Sequence, residues 1–171
     1  GMHRLGLYAD DIDAVYQRLA ASDNVARLTL MTHFANADNP AHPINNNQIE
    51  YFNKVNSSLD LPASMANSAA ICALPESHKQ VVRPGIMLYG SSPLQDRSAA
   101  ELDLQAVMQF EAGVVAVKTV AAGESIGYGS TWTCKHDTRV AVIAAGYADG
   151  YPRHAANGTP VWLNGRRCAL L

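Results

Sequence analysis

The sequence predicts an α/β segment followed by a mostly β segment, and three observations carry that expectation. In the first part, short apolar runs alternate with stretches of helical periodicity. A polar stretch, SSPLQDRSAAELD at residues 91–103, then interrupts the pattern. Beyond it the apolar residues come in β-branched runs with hairpin punctuation. The expected domains are 1–95 and 96–171.

The elements follow in order. Residues 10–21 place Ile12, Val15, Tyr16 and Leu19 at i, i+3, i+4 and i+7, an amphipathic helix that Asp10 or Asp11 can cap. Residues 25–32 (VARLTLMT) form a short apolar strand, and a Pro-punctuated loop with Asp38, Pro40 and Pro43 follows. A second helix is capped by one of Asn45 to Asn47, carries Ile49, Phe52 and Val55 on one face, and is interrupted at Ser57-Ser58. Residues 63–66 and 81–82 are further short strands, with a short helix at 68–74 between them. Strands alternating with helices imply βα units on a parallel sheet, whose strand-end loops carry function. Residues 91–103 serve as a linker. After it, residues 114–119 form a strand, 140–145 a buried run, and 160–163 a strand leading into the hairpin signal Asn164-Gly165.

Composition excludes several classes of function. The chain has 171 residues, with 48% hydrophobic and only 16% charged, against about 25% charged in an average soluble protein, which rules out a disordered chain. A net charge of −2 with no basic stripe argues against nucleic acid and anionic lipid as partners. No apolar run approaches the roughly 20 residues that a bilayer span needs, so a soluble, cytoplasmic protein is expected. Cys72, Cys134 and Cys168 are far apart and form no C-x-x-C pair, and the six histidines are scattered, so neither disulfides nor a catalytic metal is expected.

Four motifs narrow the reading. They are Met31-Thr32-His33-Phe34-Ala35-Asn36-Ala37-Asp38, Val82-Arg83-Pro84-Gly85-Ile86-Met87-Leu88-Tyr89-Gly90, Ile126-Gly127-Tyr128-Gly129-Ser130-Thr131-Trp132 and Ala145-Gly146-Tyr147-Ala148-Asp149-Gly150-Tyr151-Pro152-Arg153. Together with the opening Gly-Met-His-Arg-Leu-Gly, they resemble the bacterial alanine racemase family. Those enzymes use pyridoxal 5'-phosphate (PLP) to interconvert L- and D-alanine, supplying D-alanine for peptidoglycan. The resemblance implies the C-terminal part of a PLP-binding (β/α)8 barrel followed by the first part of a β-rich domain.

It also implies roles. Ser68 and the turn at Gly85 and Ile86 would cradle the cofactor phosphate. Arg83 would meet the pyridine nitrogen, and His33 would support Arg83. A guanidinium cannot give its proton to the ring, so the electron sink stays weak and side reactions are limited. Tyr128 would be the catalytic base opposite a Schiff-base lysine. A tyrosine has an unperturbed pKa of about 10 and needs positive neighbours to act so. Arg4 would anchor the substrate carboxylate. Asp38, Tyr147 and Arg153 would line the substrate entrance, the last two reaching a neighbouring subunit of a homodimer.

The resemblance equally implies what is missing. The family's Schiff-base lysine sits in a Lys-Ala-Asn-Ala-Tyr-Gly context. None of Lys54, Lys79, Lys118 and Lys135 does, and the lysine that the family often carbamylates near its arginine anchor is not present either. The chain is therefore expected to be an internal fragment, inactive alone. Two other readings stay open: a truncated, non-catalytic PLP-binding or dimerisation module, and a racemase of another amino acid such as serine.

Overall fold

In the computed structural model, which describes residues 1–171, the helical spacing of Ile12, Val15 and Tyr16 belongs to α1 (Ala9–Ala20). The expected aspartate cap is not used. Tyr8, in extended conformation, precedes the helix without a side-chain cap, and Asp10 and Asp11 fall inside the first turn. Their charges there still favour the positive end of the helix dipole.

The expected strand at 25–32 is shorter than its apolar run. Only β1 (Leu30–Met31) pairs, in parallel, with β2 (Ala63–Ser64), in the register Leu30↔Ala63 and Met31↔Ser64. A strand extends only as far as its neighbour supplies partners, and β2 is two residues long. Ser64 in turn bridges Val81 in parallel. The backbone ladder continues past these pairs, with Thr32 N–H donating to Ser64 O at 3.1 Å and Arg83 N–H to Ala66 O at 2.9 Å. Three parallel chain segments thus leave the sheet at the same end, which is where the loops of βα units carry functional side chains.

Between them, α2 (Ile44–Leu59) begins directly after Pro43 and has no side-chain cap, so Asn45 to Asn47 lie within the helix. Ser57 and Ser58 do not interrupt it. Each hydroxyl donates back to a helix carbonyl, Ser57 to Lys54 O at 2.7 Å and Ser58 to Val55 O at 3.0 Å, which satisfies it without breaking the turn. The helix ends at Asp60 in the left-handed region (φ 49°), where the Asn56 amide exchanges two hydrogen bonds with the Leu61 backbone. Ile49 and Phe52 of α2 pack with Phe34, Met65, Leu74 and the alanines of α3 (Ser68–Ala73) to make the core.

The polar stretch at 91–103 is not a solvated linker. Leu94 is buried in the same core, and Gln95 N–H donates to Asp38 O at 3.0 Å. One apolar residue is enough to anchor a polar segment when its neighbours turn around it. Here Ser92 Oγ accepts from Leu94 N–H and donates to Arg97 O. Gly90 precedes this segment at φ 81°, and a Cβ there would overlap the Gln105 carbonyl, so only glycine fits.

The chain divides into two compact units, Gly1–Gln109 and Phe110–Leu171. The second is built from antiparallel ribbons. β3 (Val114–Val120) pairs with a strand from further along the chain, while β4 (Ser125–Ile126) and β5 (Trp132–Thr133) pair with each other. The distant partner of β3 is β6 (Thr138–Ile143). β7 (Pro160–Leu163) and β8 (Arg166–Ala169) form the expected hairpin. Asn164 (φ 48°) and Gly165 (φ 76°) both adopt the positive φ that a type I′ turn requires. The run at 140–145 is not buried: Val142 and Ile143 are 42% and 41% exposed. An apolar run reports a surface that favours cover, and a two-stranded ribbon has no second layer in this unit to provide it. No helix is long and apolar enough to cross a membrane.

Candidate functional site

A cavity of about 420 Å³ opens where the three parallel segments leave the sheet. His33, Asp38, Ser68, Arg83, Gly85 and Ile86 all line it, although they are spread over more than fifty positions of sequence. The parallel register causes this convergence: His33 follows β1, Ser68 follows β2, and Arg83 follows the bridge at Val81.

Arg83 is held by protein acceptors on one side. Nη1 donates to Ser64 Oγ at 2.5 Å, and Nη2 donates to Thr32 O at 2.8 Å, with Met65 O and His33 Nδ1 each 3.3 Å away. A guanidinium only donates, so His33 Nδ1 must be the acceptor, and the neutral imidazole carries its proton on Nε2. The His33 pKa agrees in direction. Burial lowers it first, then the positive charge of Arg83, then that of Arg4, so the ring stays neutral. The bonds made by Arg83 leave its Nε–H and one Nη1–H without an acceptor in the chain.

The second wall is a polar cradle. Asn67 caps α3 by accepting from Ala70 N–H at 3.0 Å, as a helix-opening asparagine should. The buried Ser68 Oγ accepts from Gly85 N–H at 2.7 Å and Met87 N–H at 3.4 Å, tying the two turns together. Its own hydroxyl hydrogen remains available to an acceptor in the cavity. A Cβ on residue 85 would stand 3.6 Å from Ser68 Oγ, inside this cradle.

The remaining expected residues lie elsewhere. Arg4 sits on an exposed bend before α1 and reaches the site through its charge at His33. Tyr128, Tyr147 and Arg153 belong to the second unit. Tyr128 opens a 3-10 turn, Tyr128–Ser130, flanked by Gly127 (φ 78°) and Gly129 (φ 71°), and is 91% exposed. The guanidinium of Arg153 lies over the exposed Tyr147 ring, 5.9 Å from its centroid, in a cation–π contact.

Sequence reasoning missed the residues that hold these in place. Ser64 and the Thr32 carbonyl fix Arg83, and Gln95 fixes Asp38. The buried Asn45 amide donates to the carbonyls of Asn36, Asn39 and Pro40, pinning the loop that carries Asp38. Gln48 donates to Thr32 and His33. The signal available was the run Asn45-Asn46-Asn47-Gln48, whose amides cannot all be caps of one helix.

Comparison with known proteins identifies the family. Residues 1–93 match the family model for the alanine racemase N-terminal domain, and residues 107–171 match that for the C-terminal domain. The chain therefore belongs to the alanine racemase family. Alanine racemase from Shewanella denitrificans is 46% identical over 100% of this chain and 47% of its own length. The biosynthetic alanine racemase of Pseudomonas aeruginosa is 47% identical over 99% of this chain and 48% of its own. Its crystal structure superposes with a TM-score of 0.88, covering 99% of this chain and 47% of that one. Alanine racemase from Bartonella henselae, solved with covalently bound pyridoxal phosphate, superposes at 0.80 with 31% identity, covering 98% of this chain and 46% of that one. The chain spans about half the length of the curated relatives it matches.

Proposed function

We propose that this chain is part of an alanine racemase subunit and that the cavity between His33, Ser68 and Arg83 receives PLP. The single observation behind this reading is the convergence on one cavity of donors that the protein does not use: the Ser68 hydroxyl on one wall and the Arg83 Nε–H on the other. An anionic phosphate suits the first, and a ring nitrogen with a lone pair suits the second. The Bartonella relative, with its covalently bound PLP, supports the choice of cofactor.

PLP bound there would act as an electron sink for the charge left when alanine loses its Cα proton. Arg83 would hydrogen-bond the ring nitrogen without surrendering a proton, and neutral His33 would accept from Arg83 and keep it turned. Ser68, Gly85 and Ile86 would hold the phosphate. Arg4 would bind the substrate carboxylate. Tyr128 would hold or return a proton at its phenolic oxygen on one face of the substrate, the other face being served by a base from outside these 171 residues. Asp38, Tyr147 and Arg153 would line the approach, the last two in a homodimer. None of the four lysines lines the cavity, which favours a narrower reading of the chain by itself: it binds but does not catalyse.

Arg83→Glu in the complete enzyme tests the assignment. A carboxylate at the ring nitrogen admits its protonation and deepens the electron sink. Racemisation should fall, and up to one equivalent of pyruvate per bound PLP should form from alanine as its amino group passes to the cofactor. Parental racemisation with no pyruvate, in a folded variant that binds PLP, would remove Arg83 from the ring nitrogen.

A further inference from the structure

Gln48 is a buried polar residue of α2 that no part of the proposed chemistry uses. Its Nε2 donates to Thr32 Oγ1 at 2.9 Å and to His33 O at 2.8 Å. Its Oε1 is buried with no partner. The amide cannot be reversed to rescue that oxygen, because Oε1 would then face the His33 carbonyl, and two acceptors repel. A stranded buried acceptor disfavours the fold, a cost that the two bonds made by Nε2 have to offset. The glutamine therefore has to be explained by what its two donors do.

They grip the Thr32 hydroxyl and the His33 carbonyl. The same segment presents the Thr32 carbonyl and His33 Nδ1 to the Arg83 guanidinium. The same amide packs against Gly1, where a Cβ would overlap it, three residues before Arg4. Gln48 thus sits at the junction of the segment leading to Arg4, the strand end bearing His33, and the acceptors of Arg83. We infer that Gln48 is a positioning residue, which acts through Thr32 and His33 to set the orientation of the Arg83 guanidinium.

The test uses Gln48→Met in the complete protein, with two readouts. In the cofactor-free form, the His33 ring is titrated by NMR. Freeing the strand end lets water reach the ring and the Arg83 charge recede, so its midpoint should rise. In the second readout PLP is titrated in, and its dissociation constant should rise about tenfold, the equivalent of one well-placed hydrogen bond. Thermal stability should fall only slightly, since removing the stranded Oε1 offsets part of the cost of stranding the His33 carbonyl. An unmoved His33 midpoint overturns the inference. So does a lowered melting temperature with both readouts unchanged, which would make Gln48 a purely structural residue. Only the PLP arm rests on the proposed reading of the cavity. A shifted His33 with parental PLP affinity supports the positioning role and refutes the cofactor site. Gln48→Leu also lacks the donors, adds no charge, and carries the same test if the methionine variant does not fold.

Discussion

Gln95 holds Asp38 at two points, with its Nε2 2.6 Å from Asp38 Oδ2 and its backbone N–H 3.0 Å from the Asp38 carbonyl oxygen. The pair ties the loop after β1 to the segment after Gly90 and fixes one carboxylate at the mouth of the cavity. Gln95→Glu sets two carboxylates against each other at this contact. The expected cost is about 1 kcal/mol at neutral pH and low salt, shrinking as salt is added, because the pair is exposed and screened. Melting temperatures at low and high salt check this; a salt-independent loss would assign the effect to the lost Nε2 hydrogen bond, and no loss would leave the backbone bond as the tie.

His33 makes stability depend on pH with a definite sign. Its folded pKa lies below the unfolded one, so the unfolded chain binds the proton more readily. Stability from this group is fully present above about pH 6.5 and is lost as the pH falls from there through the lowered folded value. Urea melts of the parent and of His33→Gln should therefore diverge in slope below that pH, the variant being flatter. Parallel slopes would show that His33 titrates normally.

Tyr128 is almost fully exposed, so Tyr128→Phe should change stability by no more than about 0.5 kcal/mol. In the complete enzyme the same change should cut racemisation by roughly 10²-fold or more while PLP absorbance remains. Exchange of the substrate Cα proton should persist on the face that Tyr128 does not serve. Loss of PLP along with activity would make Tyr128 a binding residue.

The 171-residue chain, supplied with PLP and L-alanine, should form no D-alanine above the PLP-only blank. Lys54, Lys79, Lys118 and Lys135 all lie outside the lining of the cavity, so no amine is placed to hold the cofactor covalently. Turnover that survives replacement of all four lysines would overturn both this expectation and the reading of what the chain lacks.

The sequence by itself determined the elements whose causes are local. The i, i+3, i+4 spacing of Ile12, Val15 and Tyr16 made α1, Asn67 capped α3, and Asn164-Gly165 made the type I′ turn between β7 and β8. The family motifs named His33, Arg83, Gly85 and Ile86, the resemblance added Ser68, and the cavity that gathers them lies where the parallel strands end. Tertiary structure decided whatever depended on a partner distant in sequence. The apolar run at 25–32 became a two-residue strand because β2 offered only two partners, and the run at 140–145 stayed exposed because its ribbon has no covering layer. Ser57 and Ser58 remained helical, and Leu94 turned a polar stretch into part of the core. Asn45 reads as a candidate helix cap, and Gln48 carries no signal of its own, because an amide serves equally well as a cap or as a long-range clamp. Only packing α2 against the end of β1 settled that their donors face His33 and the Asp38 loop.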